Sequence, residues 1–201
     1  MSLSELWSLY GQNYIDALLA TWGMTLESFA IAMVLAVAVT VMRVSPLKPL
    51  RVFGDLYVQV FRNIPGIALL IIVVYALPPL KVVLPYRTCV IVATVLLGSA
   101  FGSENFMSGI NTVGVGQVEA ARSLGMSFSR ILAKIVIPQA LRSSVLPMTN
   151  LFIAVMLTTA LGSQVPLKPQ ELTGVVSYIN TRSLGGVAAF FISATWARPL
   201  W

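Results

Sequence analysis

Long apolar stretches separated by short polar ones make up most of the chain. Five runs carry almost no charge: residues 23–42, 63–80, 88–108, 143–165 and 183–201. Residues 23–42 hold Glu27 as their only charge, close to one end. Twenty apolar residues at about 1.5 Å each cross a hydrocarbon core of roughly 30 Å. The pattern therefore predicts five transmembrane helices. Proline marks most of their edges: Pro46 and Pro49 after the first, Pro78 and Pro79 closing the second, Pro147 near the entry of the fourth, Pro166 and Pro169 in the polar loop that follows it. The third helix is expected to run on through Glu104 to Ile110 as it leaves the membrane. Residues 1–22 are mildly polar and aromatic, with Glu5 and Asp16 and no cation. The last uncharged stretch, residues 183–197, makes a helix of only about 22 Å, so a C-terminally shortened fifth helix is expected.

One charged island interrupts this pattern, between Gly116 and Pro138. Val118, Ala121, Leu124 and Phe128 recur at steps of three and four, which puts them on one face of a helix. Glu119 and Arg122 lie on the other side, three residues apart, a pairing worth about 0.2–0.5 kcal/mol. Gly125 is the expected turn, since glycine adopts positive φ without steric cost. Ser127 is placed to cap a second short helix that turns Ile131, Leu132, Ile135 and Val136 inward. Pro138 is expected to stop or kink that helix.

Charge placement orients the chain. With the N-terminus outside and five alternating helices, nine cations fall inside (Arg43, Lys48, Arg51, Arg62, Arg122, Arg130, Lys134, Arg142, Arg198) and four outside (Lys81, Arg87, Lys168, Arg182). The positive-inside rule then favours N-out, C-in and places the charged island in the cytoplasm. The chain is 57% hydrophobic and only 10% charged, against about 25% charged in soluble domains. Its net charge is +6, but the cations lie between apolar runs rather than on one polar face, which argues against a nucleic-acid partner. With no histidine and one cysteine, Cys89, neither a disulfide framework nor a Cys/His metal site can form. The first ten residues lack the positive region and cleavage site of an ordinary secretory signal. Glu5, Asp16, Glu27, Asp55, Glu104, Glu119 and Glu171 are scattered, unlike the clustered acids of a membrane enzyme, and no GxxxxGK[ST] phosphate loop is present.

The island's spacing resembles a known signature. Glu119-Ala120-Ala121, Gly125 four residues on, then Ile135, Ile137 and Pro138 is similar to the EAA loop of bacterial ABC-importer permeases, with Ile137 in place of the usual Leu. Arg122 and Leu124 continue the match. Phe61-Arg62-Asn63-Ile64-Pro65 resembles the Phe-Arg-Asn-Thr-Pro entry to the second core helix of the polar amino-acid subfamily. Gly102-Ser103-Glu104-Asn105-Phe106 with Gly109-Ile110, Pro147-x-x-Asn150, and Gln170-Glu171-Leu172-Thr173 resemble further stretches of it. The chain departs at Met107, where an Arg is common, at Leu157, where many relatives carry Lys, and at Gly162-Ser163-Gln164.

The resemblance implies an all-α integral membrane protein, a five-helix transmembrane bundle with a cytoplasmic helical coupling loop over residues 112–140. It implies the permease subunit of an ATP-driven importer for a polar amino acid, glutamate-like substrates among them, in the bacterial cytoplasmic membrane. It implies no cofactor of the chain's own, ATP being bound by a partner. The implied partners are a cytoplasmic ABC ATPase dimer, a second permease subunit (identical or paired) and an extracytoplasmic solute-binding protein. Glu119, Ala120, Ala121, Arg122, Leu124, Gly125, Ile135 and Pro138 would couple to the ATPase. A permease for another small solute, or a truncated assembly subunit that does not transport, are the alternatives. Arg62 and Glu104, at facing helix ends, fit a salt bridge or snorkelling position as well as a gate. Asn63, Asn150, Thr158 and Thr159 are expected to face the bundle interior, in helix–helix hydrogen bonds or along the pathway. Pro65 and Pro147 are expected to break helices near that pathway.

Overall fold

A computed structural model describes residues 3–182, and among them only helices and the turns between them occur. The first helix, α1 (Leu3–Arg43), is 41 residues long, about 61 Å. The expected boundary at residue 23 is no helix boundary. The chain meets its first proline only at Pro46, so nothing interrupts the ladder before Arg43. After α2 (Lys48–Asn63) come two extended residues, Ile64 and Pro65, and a sharp bend. The chain resumes in α3 (Gly66–Ile71), a π turn (Ile72–Ala76) and a 3-10 turn (Pro78–Leu80). Helix α4 (Tyr86–Asn111) matches the third expected span and its extension past Glu104. The island forms α5 (Val115–Ser123) and α6 (Phe128–Ile131).

The largest difference from the expected layout lies after α6. A π turn (Leu132–Val136) leads straight into α7 (Ile137–Thr158), and a 3-10 turn (Thr159–Gln164) closes it, so one helical rod runs from Phe128 to Gln164. Pro138 does not stop the chain. The π turn absorbs the misfit: the Ile137 amide donates to the Leu132 carbonyl five residues back, and Pro138 becomes a first-turn residue whose missing N–H is not needed. Pro147 likewise lies inside α7 rather than breaking it. Helix α8 (Leu172–Arg182) follows the polar loop.

Glu5–Arg43, Tyr86–Asn111 and Phe128–Gln164 are each long and apolar enough to cross a bilayer. The pieces Lys48–Asn63 and Gly66–Leu80 add a fourth crossing if counted as one broken span. The fifth expected span, 183–201, lies outside the described residues.

Two compact units share these helices. The first takes the chain up to Ala30, Pro65–Val95 and from Ile153 onward. In it, Leu6, Tyr14 and Ala17 of α1 pack on Leu172, Val175 and Ile179 of α8, with Tyr10 and Tyr178 edge to face beside them. The early part of α1 is thus held by protein, which is why its polar residues do not prevent a helix. The second unit takes Ile31–Ile64 and Leu96–Phe152. There α4 and α7 approach closely through glycine. A Cβ on Gly109 would meet Ser144 Oγ and, at 2.6 Å, the Ala140 carbonyl oxygen; one on Gly102 would meet Ala36 Cβ at 2.9 Å. Ser144 donates to the Ala140 carbonyl and lies 3.2 Å from that of Asn105, and the Asn105 amide donates to the Pro147 carbonyl at 3.1 Å.

Gly109→Val should therefore lower stability by about 1–3 kcal/mol, because backbone blocks the new side chain. Gly116→Ala, with open space around it, should be neutral or slightly stabilising. Thermal unfolding of the two purified variants in detergent checks the contrast.

Candidate functional site

The island is built around a glycine turn. Gly125 has φ +73°, the conformation its spacing predicted. The Gly125 amide donates to the Arg122 carbonyl at 2.9 Å and the Met126 amide to that of Ala121 at 3.1 Å, which closes α5 as a Schellman motif. Met126, which follows the turn, packs against the cluster that contains Ala121. Ala121, Ile131, Val136 and Val113 are buried together, with Val118, Leu132 and Ile135 half-buried around them. Gln139 of α7 donates to Gln117 of α5 at 2.7 Å. The loop is thus a small packed unit with its own core.

Three large apolar side chains lie outside that core. Ala121 and Val118 pack into the core, but Leu124 and Phe128, expected on the same helical face, are 82% and 57% exposed, as is Val115 at 71%. The turn at Gly125 ends α5 before the helical periodicity reaches them. Ala120 and Pro138 are also exposed. Glu119 and Arg122 both face solvent and form no ion pair with each other. Ser127 has the extended backbone of a capping residue, but its hydroxyl lies 3.3 Å from that of Ser129 and bonds no helix amide.

Arg62 and Glu104 do meet, in a larger cluster than the sequence suggested. Arg62 Nη1 lies 3.4 Å and Arg43 Nη1 3.1 Å from Glu104 Oε2. Arg43 Nε donates to Asp55 at 2.8 Å, and Arg43 Nη1 to Ser103 Oγ at 3.2 Å. Thr40 bonds the same serine at 3.1 Å, and the Arg62 guanidinium sits 5.4 Å from the Phe101 ring centre. Arg43, Asp55 and Ser103 were not foreseen. The available signal was the long cation placed just where the first apolar run ends, opposite two acids on other helices. Nearby, Tyr57 and Ser99 share a 2.7 Å hydrogen bond.

Asn63 donates to the Gln59 carbonyl of its own helix and is exposed, as is Asn150. Thr158 and Thr159 bond the carbonyls of Ala154 and Met156 on their own helix, so no helix–helix hydrogen bond forms there; only Thr159 is fully buried. Pro65 is exposed at the start of α3.

In the first unit, Glu171 caps α8. Its carboxylate accepts the Thr173 amide at 2.7 Å and the Gly174 amide at 2.6 Å while remaining buried. Burial pushes its pKa above the ordinary 4.5, and the amide hydrogen bonds pull the other way. Glu27 and Arg87 form an ion pair of 2.5 Å.

Apolar helices of bilayer length, charges paired between them and a solvent-exposed helix–turn–helix define a polytopic membrane protein. A family model described as "Binding-protein-dependent transport system inner membrane component" matches residues 28–197, and the chain belongs to that family. It is a membrane permease component, not an enzyme; in these importers ATP hydrolysis resides in a separate subunit. The glutamate transport system permease protein GluC of Corynebacterium efficiens is 35% identical over 173 residues, covering 80% of this chain and 76% of GluC. The L-cystine transport system permease protein TcyB of Bacillus subtilis is 32% identical over 195 residues, covering 94% and 82%. A crystal structure of an amino acid ABC transporter with histidines superposes with a TM-score of 0.89 at 25% identity, covering 97% of this chain and 90% of that one. The MetNI methionine transporter, at 20% identity and a TM-score of 0.69, shares the fold.

Two predictions test this geometry. Arg43, only 12% exposed at its side chain, holds Asp55 and Glu104 at once, whereas Arg62 is 40% exposed and holds Glu104 alone. Arg43→Ala should cost about 1–3 kcal/mol and Arg62→Ala under about 1 kcal/mol in thermal unfolding. For Glu171, the folded chain binds the proton more tightly than the unfolded chain. Its contribution to stability is full below the ordinary 4.5 and is lost as pH rises through the raised value. Glu171→Gln should flatten this part of a melting-temperature profile against pH.

Proposed function

We propose that this chain is the translocation subunit of an importer for a polar amino acid, with glutamate-like substrates the first to test. The relatives named for glutamate and cystine transport support the substrate class. The loop over residues 112–140 docks on a cytoplasmic ATPase dimer. The observation that carries this reading is the exposure of Val115, Leu124 and Phe128 around Glu119 on a loop that already has its own core. A self-contained surface loop has no internal reason to hold three large apolar side chains in water; a groove on a partner supplies one. Glu119, free of Arg122, is available to a basic group at that groove.

In this reading the N-terminus is outside and the C-terminus inside, as the nine-to-four distribution of cations favours. Two permease subunits, identical or paired, form the pathway. An external binding protein delivers the substrate. ATP closes the ATPase dimer, the loops follow, and the helices move between two packings of similar energy. Ala120, Ala121, Arg122, Gly125, Ile135 and Pro138 shape the docking element. Arg62 and Glu104, tied to Arg43, are the candidate gate; Asn63, Pro65, Asn150, Thr158 and Thr159 are weaker candidates for the pathway.

Glu119→Lys and Gly125→Val should each abolish solute uptake in cells lacking their own transporter, with the protein still present in the membrane. Nothing crowds a side chain at Gly125, so its variant acts through the backbone alone, at about 1–2 kcal/mol for the left-handed conformation. Unchanged uptake in both would reject the coupling role.

A further inference from the structure

Helix α2 is amphipathic along its whole length in a way a membrane-crossing helix is not. Lys48, Arg51, Asp55, Gln59 and Arg62 recur at steps of three and four, from the first turn to the last. They form one polar stripe over about 21 Å. Phe53, Leu56 and Val60 follow the same spacing on another side and are 59%, 56% and 42% exposed. A third side packs on protein: Gly54 and Val58 are buried, and Tyr57 bonds Ser99. Asp55 and Arg62 are spoken for by Arg43 and Glu104. Lys48 and Arg51 are exposed and make no ion pair among the described residues.

A helix placed across the bilayer would carry this stripe through the hydrocarbon centre, where charges and amides are expensive. Laid along the surface, the stripe meets headgroups and water while Phe53, Leu56 and Val60 enter the acyl boundary. That is the arrangement of an interfacial helix. We propose that α2 lies in the membrane plane and that Lys48 and Arg51 bind anionic phospholipid headgroups. Arg43, Lys48, Arg51 and Arg62 against Asp55 leave residues 43–63 with a net charge of +3, which complements such a leaflet. That this is the inner leaflet rests on the orientation proposed above; the lipid contact itself does not.

The test uses the full chain, with Cys89→Ser as background, in vesicles of phosphatidylcholine with or without phosphatidylglycerol. Spin labels on Val52→Cys, Leu56→Cys and Val60→Cys report depth. A surface helix gives equal depths for the three; a crossing helix gives a steady change of about 12 Å from the first to the last, and that result overturns the proposal. Spin-labelled phosphatidylglycerol should be retained over phosphatidylcholine. Lys48→Gln and Arg51→Gln should each reduce that preference about fivefold, and added salt should weaken it. No preference in the unsubstituted protein, or labels shielded from lipid by another protein subunit, also overturns it. Equal depths and lipid preference in the outer leaflet would keep the lipid contact and retract the orientation instead.

Discussion

Hydrocarbon offers no hydrogen bonds, so every backbone amide in a membrane segment must be satisfied by its own helix. This constraint shapes most of the described chain. It explains why α1 continues without a break to Arg43, and why Pro138 and Pro147 are absorbed into one rod rather than ending it. The π turn at Leu132–Val136 is the local adjustment that keeps this possible. It also joins the exposed loop mechanically to α7, since no flexible linker separates α6 from the apolar helix that follows. A push on α5 and α6 would then reach α7 through continuous helix, through the Gln139–Gln117 hydrogen bond and through the core that Ala121 shares with Ile131 and Val136.

The same constraint acts on side chains, at lower cost and with more variety. Thr158 and Thr159 satisfy their hydroxyls on their own helix, a local solution that needs no neighbour. Arg43 cannot do this and gathers Asp55, Glu104 and Ser103 instead. That cluster draws on α1, α2 and α4, so a rearrangement of those helices must break or exchange its ion pairs. It is a natural point at which two packings would differ.

The features visible in the sequence were those fixed by short-range rules. The Gly125 turn follows from one residue's φ, the inward set of Ile131, Leu132, Ile135 and Val136 from helical spacing, and α4 from the length of an apolar run. Features that depend on distant partners were not visible. The helical start of α1 depends on α8, more than a hundred and fifty residues later in the chain. Arg43's partners Ser103 and Glu104 lie about sixty residues away. Leu124 and Phe128 part from Ala121 and Val118, with which their spacing grouped them, because Gly125 ends the helix. Pro138 was read by its local effect alone, without the wider turn before it.

The central claim is that the exposed loop is the grip on a nucleotide-hydrolysing partner. Cysteine-directed crosslinking in the assembled transporter, in membranes, tests it most directly. Leu124→Cys should form a covalent adduct with the ATPase subunit, and Ile131→Cys, buried in the loop's own core, should not. A functional transporter in which Leu124→Cys gives no adduct and is labelled only from outside the cell would contradict the account.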